Sequence, residues 1–465
     1  MEAGPIAAEL DALLEGGTVS TGESDLTLHS EDLTFHRPHR PDVVAFASTT
    51  EDVRRVLAFA DEQRIPVIPF GAGSSLEGHV IPVAGGISLD LRGLDRIAAI
   101  RPAELTVTAG AGVTRLALER RLGQHGLFFP VDPGADASLG GMAATNAAGT
   151  MTVRHGKMRR RVLALEAVLP GGRVIRTGSR AAKTSAGYDT TGLLVGSEGT
   201  LGVITELTLR VEGIPEAQAV VRATFPDAAA ACRASCQIVA AGLEALRVEL
   251  LDEWEVEALN AYAETGFPPG ALLFVEVAGS AAGVEAELAE VTDIVGEAGA
   301  TTMAYERDPT RRARLWRARH EIFFAEKAMA PGKSSLSTDV CVPLEELEGV
   351  LVSSREAIER FALTGGISAH AADGNVHVAL LVDPDDAGEM GRVSRLTTEL
   401  VDYALAHGGT CSGEHGIGLG KIEALEREHG DQIELMRSIK ATFDPHGVMN
   451  PGKIFRQEAA DARPA

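Results

Sequence analysis

Between residues 48 and 126 the apolar positions switch back and forth between a helical and a β period. Ser48 and Glu51 form a capping-box signature, and Val53, Val56, Leu57 and Ala60 follow at helical spacing, which predicts a helix. Ile65 to Phe70 is a short apolar run, and Ile87–Leu91 and Leu105–Thr108 read as strands. Thr114–Gln124 reads as a helix that stops near Gly126. Further on, VLALEAVL and RVIRTG flank Pro170-Gly171-Gly172 and predict a hairpin, with another β-branched strand over Leu201–Val211.

After about residue 213 the texture changes. Ala/Glu-rich helices over 226–242, 281–298, 344–362 and 387–406 alternate with apolar strands such as Ala271–Val277, which predicts a second α+β unit. LWRARHEIFF (315–324) reads as one helix carrying Arg317 and Arg319, with Arg311, Arg312 and Arg314 before it, and most of these arginines form a solvated face. The tail FDPHGVMNPGKIF (443–455) is turn-rich and gives way to a disordered-looking end. The expected division is 1–213, 214–415 and a closing segment 416–465 that returns to the first domain.

With 465 residues the chain is long enough for more than one core, which agrees with the change of texture. A net charge of −23 would repel a phosphate backbone, so no nucleic-acid partner is expected. The N-terminal MEAGPIAAELDALLEGG reads as an amphipathic helix without the features of a signal or transit peptide. Cys232, Cys236, Cys341 and Cys411 show no C-x-x-C spacing, so neither a disulfide scaffold nor a zinc ribbon is expected. Together these features lead to the expectation of a reducing, cytoplasmic location, with peripheral contact at the inner membrane left open.

Three stretches concentrate glycine with small polar residues: GAGSSLEGH (71–79), VDPGADASLGGMAATNAAGT (131–150) and GSEGTLGVIT (196–205). Such stretches let backbone N–H groups approach an anion closely. The first follows a strand-like run, as a pyrophosphate cradle requires, yet it is neither a Rossmann fingerprint nor a Walker A loop. Tight turns are the plain alternative for any one of them.

Taken in order, the three stretches resemble the FAD-linked oxidases of the vanillyl-alcohol oxidase type, over about residues 36 to 455. The resemblance implies an α+β chain: a two-subdomain PCMH-type FAD-binding domain and an α+β cap with a ferredoxin-like sheet. It implies a non-covalent FAD contacted by Pro69, Gly71, Ala72, Gly73, Ser74, Ser75, Gly78 and His79 on the first loop. Pro130, Asp132, Ser138, Gly141, Thr145, Asn146 and Gly149 would line the flavin and its phosphates from the second stretch. Gly199 and Ile204 would do so from the third, and Asn450 of the closing NPGK would return to it.

SAHAADGNVHVALLV (368–382) can be read from its residues alone. Asp373-Gly374 is a strong two-residue hairpin turn, and centring it there sets His370 directly opposite His377 on one face. Two imidazoles so placed can chelate one metal ion, and Glu414 of SGEHGIGLGK offers a third ligand from a glycine-flanked loop. Two histidines and an acid leave positions open for a substrate, the pattern of a catalytic site. Two idle hairpin histidines are the alternative.

The hydroxy-acid branch of the same family carries H-x-x-D-G-N-x-H followed by G-E-H-G-x-G, and both stand here unaltered. The resemblance implies that His370, His377 and Glu414 bind a divalent ion, Zn²⁺ or Mn²⁺. It implies His415 as the general base, Asn375 as a substrate contact and Arg319 as the partner of the substrate carboxylate. Relatives acting on D-2-hydroxyglutarate have a Thr and a Lys where this chain has Phe323 and Ser337, which removes the clamp for a second carboxylate. The run RHEIFF…PGKSSLSTDVCVP is similar instead to the D-lactate dehydrogenases that reduce cytochrome-type acceptors. The expected substrate is a small monocarboxylic D-2-hydroxy acid and the expected acceptor a cytochrome, quinone or flavoprotein, with a homodimer left open. A flavin subunit of a glycolate-type dehydrogenase and a metal-free sugar or alditol oxidase are the rival readings.

Overall fold

A computed structural model describes residues 3–456; the end of the tail, expected to be disordered, lies outside the described residues. The chain forms two compact units. One takes in Met1–Ala148, Gly156–Ile214 and Glu414–Ala465, the other Gly149–His155 and Pro215–Gly413.

In the first unit, β1 (Thr18–Ser20), β2 (Val43–Phe46), β3 (Val67–Phe70) and β4 (Ile87–Asp90) form a sheet in the order β1-β2-β4-β3. The pairs β2·β4 and β3·β4 are parallel, and β1 joins antiparallel. A second sheet is fully antiparallel, from β5 (Ile97–Arg101), β6 (Thr106–Gly110), β8 (Val162–Leu169), β9 (Arg173–Gly178) and β10 (Val203–Arg210), in the order β5-β6-β10-β8-β9. The short strands β7 (Leu127–Phe128) and β11 (Glu212–Gly213) pair with each other. The hairpin at Pro170 is therefore present as β8 and β9. Val43, Val67, Ile87, Val107, Leu165 and Leu207 of both sheets share one core with Val53, Val56 and Leu57 of the helix Thr50–Gln63.

That helix starts one residue later than the Ser48–Glu51 reading. Thr49 is the cap: its side chain accepts from the Asp52 N–H at 3.1 Å, and the Asp52 carboxylate accepts from the Thr49 N–H at 3.0 Å. Glu51 turns outward to Arg54 and Arg55, so the third-position acid that closes the box is Asp52.

The second unit is built on one sheet of β12 (Ala217–Phe225), β13 (Arg247–Leu251), β14 (Ala271–Gly279), β15 (Thr302–Glu306), β16 (Ser334–Ser337), β17 (Val340–Cys341), β18 (Gly365–His370) and β19 (Asn375–Val382). The order is β15-β12-β14-β13-β18-β19-β16, with β17 pairing β19, and every pair is antiparallel. Every residue of β18 and β19 is buried, so this centre of the sheet is covered on both faces. The helices Ala228–Ala240, Ala281–Glu297, Leu347–Arg360 and Ala387–Ala406 fall where the periodicity put them. The segment read as one helix over 315–324 is two, Pro309–His320 and Ile322–Met329, because Glu321 leaves the helical region at φ −85°, ψ 8°.

Candidate active site

The glycine-rich stretches of the first unit fold against one another. A Cβ on Gly71 would stand 2.3 Å from Ser138 Oγ, so glycine lets the first stretch lie against the second without displacing that hydroxyl. Ser138 also caps the short helix Leu139–Ala144 by accepting from the Gly141 N–H at 3.3 Å, and Thr145 donates to the Gly141 carbonyl at 3.1 Å. Gly199 of the third stretch packs on the Pro69 ring. Asn450 ties the set together, its amide donating to the carbonyls of His79 (3.1 Å) and Glu198 (2.8 Å).

Pro130, Asp132 and Ile204 are buried around this cradle, Ala72 is exposed, and Gly73, Ser74 and Ser75 are half-buried. Gly78 is buried, and the side chain of Asn146 accepts from the Arg159 N–H at 3.0 Å. Gly149 is the exception: it belongs to the second unit, where its N–H donates to Thr152 Oγ1 at 3.0 Å.

Two carboxylates that the motifs contain, but that were not singled out, organise this part of the first unit. Glu198 holds a left-handed backbone at φ +53°, rare for a residue with a side chain, and accepts from the N–H groups of Ile417 (2.7 Å) and Gly418 (2.9 Å). It thereby fixes the loop that carries His415. It also faces His79 at 3.2 Å. Burial disfavours a charged ring at His79, but the carboxylates of Glu198, Asp32 and Glu77 outweigh burial and its pKa is raised. Glu77, inside the first glycine-rich stretch, lies 3.8 Å from His415 Nδ1 and 3.4 Å from the Lys421 ammonium.

In the second unit the two histidine candidates lie on one face of the β18–β19 hairpin, with a register other than the one predicted. His370 pairs with Asn375, and His377 pairs with Ser368. The loop is four residues, 371–374: Asp373 donates its N–H to the His370 carbonyl at 3.1 Å, and of the pair only Gly374 has positive φ, +79°. A two-residue type I′ turn needs positive φ at both positions, and Asp373 does not adopt it. The histidines are diagonal neighbours, still on one face because 375 and 377 differ by two, with ring centroids 5.4 Å apart.

Each imidazole is oriented by a partner. His370 Nδ1 donates to Glu249 Oε1 at 2.6 Å and His377 Nδ1 donates to the Thr338 carbonyl at 3.1 Å. With Nδ1 holding the proton, Nε2 carries the lone pair, which is the arrangement metal-ligating histidines use. Gly413 packs against the Asn375 side chain, and the next residue along the chain is Glu414. The ligand atoms of His370, His377 and Glu414 lie within 4.8 Å of one another. These residues fit a divalent ion.

Arg319 is buried, and its guanidinium reaches Glu249 Oε2 at 2.8 Å while its Nε has no hydrogen-bond partner among the described residues. Glu249 thus holds both Arg319 and His370. Its signal in the sequence was faint: one acid within the apolar strand RVELL. Asn375 donates to Asp339 at 2.7 Å and to the Val340 carbonyl at 2.9 Å, so its amide hydrogens are engaged and its carbonyl oxygen is what it can offer a substrate. Phe323 packs edge-on against Phe324, and Lys333 pairs with Glu389 at 2.7 Å.

The sequence profile described as FAD linked oxidases, C-terminal domain, matches residues 214–454, and that described as FAD binding domain matches 41–178. The chain belongs to the FAD-linked oxidases. This FAD-linked oxidase is 42% identical over 441 residues to "Probable D-lactate dehydrogenase, mitochondrial" of Danio rerio, covering 94% of this chain and 89% of that one. Identity is 38% to "D-lactate dehydrogenase [cytochrome], mitochondrial" of Arabidopsis thaliana, over 93% of this chain and 78% of that one. It is 32% to "Glycolate oxidase subunit GlcD" of Bacillus subtilis, over 93% of each. The fold matches the crystal structure of p-cresol methylhydroxylase with substrate bound at a TM-score of 0.82 and 16% identity, over 98% of this chain and 97% of that one.

The protein is therefore an FAD-dependent oxidoreductase of PCMH-type fold. The expectation of a cytoplasmic location is overturned, since the Danio and Arabidopsis relatives are both named as mitochondrial. The cysteine spacing says only that no disulfide framework is expected, and it does not choose among reducing compartments. Among the described residues no helix is long and apolar enough to cross a membrane.

Proposed function

We propose that this FAD-linked oxidase oxidises a small monocarboxylic D-2-hydroxy acid, D-lactate or a near relative, to the 2-keto acid. Electrons then pass to a cytochrome or another acceptor that is not O₂. The observation that carries the reading is the grouping of His370, His377 and Glu414, for which a plain sugar or alditol oxidase has no use. The names of the Danio and Arabidopsis relatives support it.

Bound FAD supplies the hydride acceptor, and a divalent ion supplies Lewis-acid polarisation of the substrate hydroxyl. The Arg319 guanidinium pairs with the substrate carboxylate and orients C2. His415 takes the hydroxyl proton as general base, its ring steadied by Glu77. The C2 hydrogen leaves with its electron pair as the C2–O bond becomes a carbonyl. The cofactor is held without a covalent link, since His79 is engaged with Glu198 and its raised pKa favours a cation over a nucleophile. Phe323 and Ser337 offer no cation to a second carboxylate.

The test is anaerobic bleaching of the flavin against a panel of D- and L-2-hydroxy acids, with and without added Zn²⁺ or Mn²⁺. D-lactate should bleach it and D-2-hydroxyglutarate should not; the reverse order sinks the substrate assignment. A second reading, a flavin subunit that works only with partner chains, is favoured by the end-to-end match to GlcD. Turnover of the isolated chain with an artificial dye decides against it.

A further inference from the structure

Around the helix Pro309–His320 the second unit matches its inward arginines with acids. Arg247 and Arg312 both reach Glu276, at 2.6 and 2.7 Å, and Arg319 reaches Glu249. Arg222 breaks the pattern. It is half-buried on β12 between Phe274 and Ala304 of the neighbouring strands, and its guanidinium lies 4.9 Å from the centre of the Phe267 ring. It makes no hydrogen bond or ion pair with any described residue, and burial alone lowers its pKa, with no carboxylate acting against it. A guanidinium half withdrawn from water is disfavoured without a counter-charge, and proteins ordinarily supply one.

Arg222 lines a recess of about 390 Å³ that is open to solvent. Arg314 and Arg317 of the helix line it too, neither in an ion pair with a described residue, and Thr265 and Tyr305 add hydroxyls. Arg311 is 3.8 Å from Glu306, which also accepts from the Asp308 N–H, so that acid is already engaged. Four arginines and three glutamates line the recess, a positive surplus in a chain whose net charge is −23.

We propose that this recess binds a small anion bearing a carboxylate or phosphate group, with Arg222 as the buried contact and Arg314 and Arg317 as the outer ones. The site is separate from the substrate arginine: Arg319 reaches across to β13, whereas Arg222 stands on β12, with β14 between them. Planar guanidinium groups give such anions paired hydrogen bonds, and the Phe267 face holds the Arg222 plane in place.

Calorimetric titration of the FAD-loaded full chain with succinate, and separately with inorganic phosphate, at low salt tests this. Saturable binding of one anion per chain is expected, weakened about tenfold or more by Arg222→Gln and by Arg314→Glu and unchanged by Arg437→Gln at an exposed arginine of the first unit. Arg314 is exposed, so its variant bypasses any folding defect at Arg222. Whether succinate or phosphate saturates identifies the group recognised. No saturable binding of either anion, binding by both recess variants as tight as that of the unaltered chain, or an equal loss in Arg437→Gln overturns the proposal.

Discussion

Glu249 and His370 stand directly opposite each other on β13 and β18, and the Glu249 carboxylate takes the His370 Nδ1 hydrogen at 2.6 Å. The other oxygen of the same carboxylate holds Arg319 at 2.8 Å. One fully buried acid therefore sets the tautomer of a metal-ligand candidate and the position of the arginine proposed to bind the substrate carboxylate. Glu249→Gln keeps the shape but weakens both bonds. Metal affinity, measured by competition with a chelator, is expected to fall about 10–100-fold, the range for such supporting partners. Unchanged affinity would mean that Glu249 only neutralises Arg319.

His415→Asn removes the proposed base while leaving a side chain of similar reach. Turnover is expected to fall about 10²–10⁴-fold with the flavin absorbance retained. Undiminished turnover, or a colourless protein, would refute the assignment.

Metal removal separates the flavin from the proposed ion. The proposed FAD contacts lie at 69–204 and 450, the histidine pair at 370 and 377. Dialysis against EDTA, or His377→Ala, should leave the flavin spectrum in place and suppress its reduction by substrate. Rapid reduction after chelation, with metal analysis confirming its absence, would remove the ion from the reaction.

A pH dependence follows from Glu326. Burial raises its pKa from 4.5 to about 7, against the lowering effects of the Ser335 hydroxyl and of Arg319. The folded chain then holds this proton more tightly than the unfolded chain. The contribution to stability is complete below about 4.5 and is lost as pH rises through about 7. Urea unfolding at several pH values should show a decline across that window that is smaller in Glu326→Gln. A parallel decline in the variant would assign the effect to another group, Glu255 being the first to examine, since burial raises its pKa too.

Much of the architecture was legible because it rests on local signals. The helix over Thr50–Gln63, the β8–β9 hairpin around Pro170 and the helices of the second unit follow from periodicity and turn chemistry. The glycine-rich stretches could be found for a similar reason, since close backbone approach leaves a compositional trace. What local rules decided poorly were choices of one residue. The capping acid is Asp52 and not Glu51, and the His370–His377 hairpin closes with four residues instead of two.

The chain by itself determined which residue types reach the site: two histidines on one face of a hairpin, a glutamate after a glycine, and glycine where a Cβ would collide. Those follow from the period of a strand and from steric exclusion, both written locally. Only the tertiary structure decided who supports them. Glu249 meets His370 because β13 lies beside β18 across 121 residues of sequence, and Glu77 meets His415 across an even longer gap. No periodicity records such pairings; they are fixed by which strands neighbour one another and by the need to pair each buried charge.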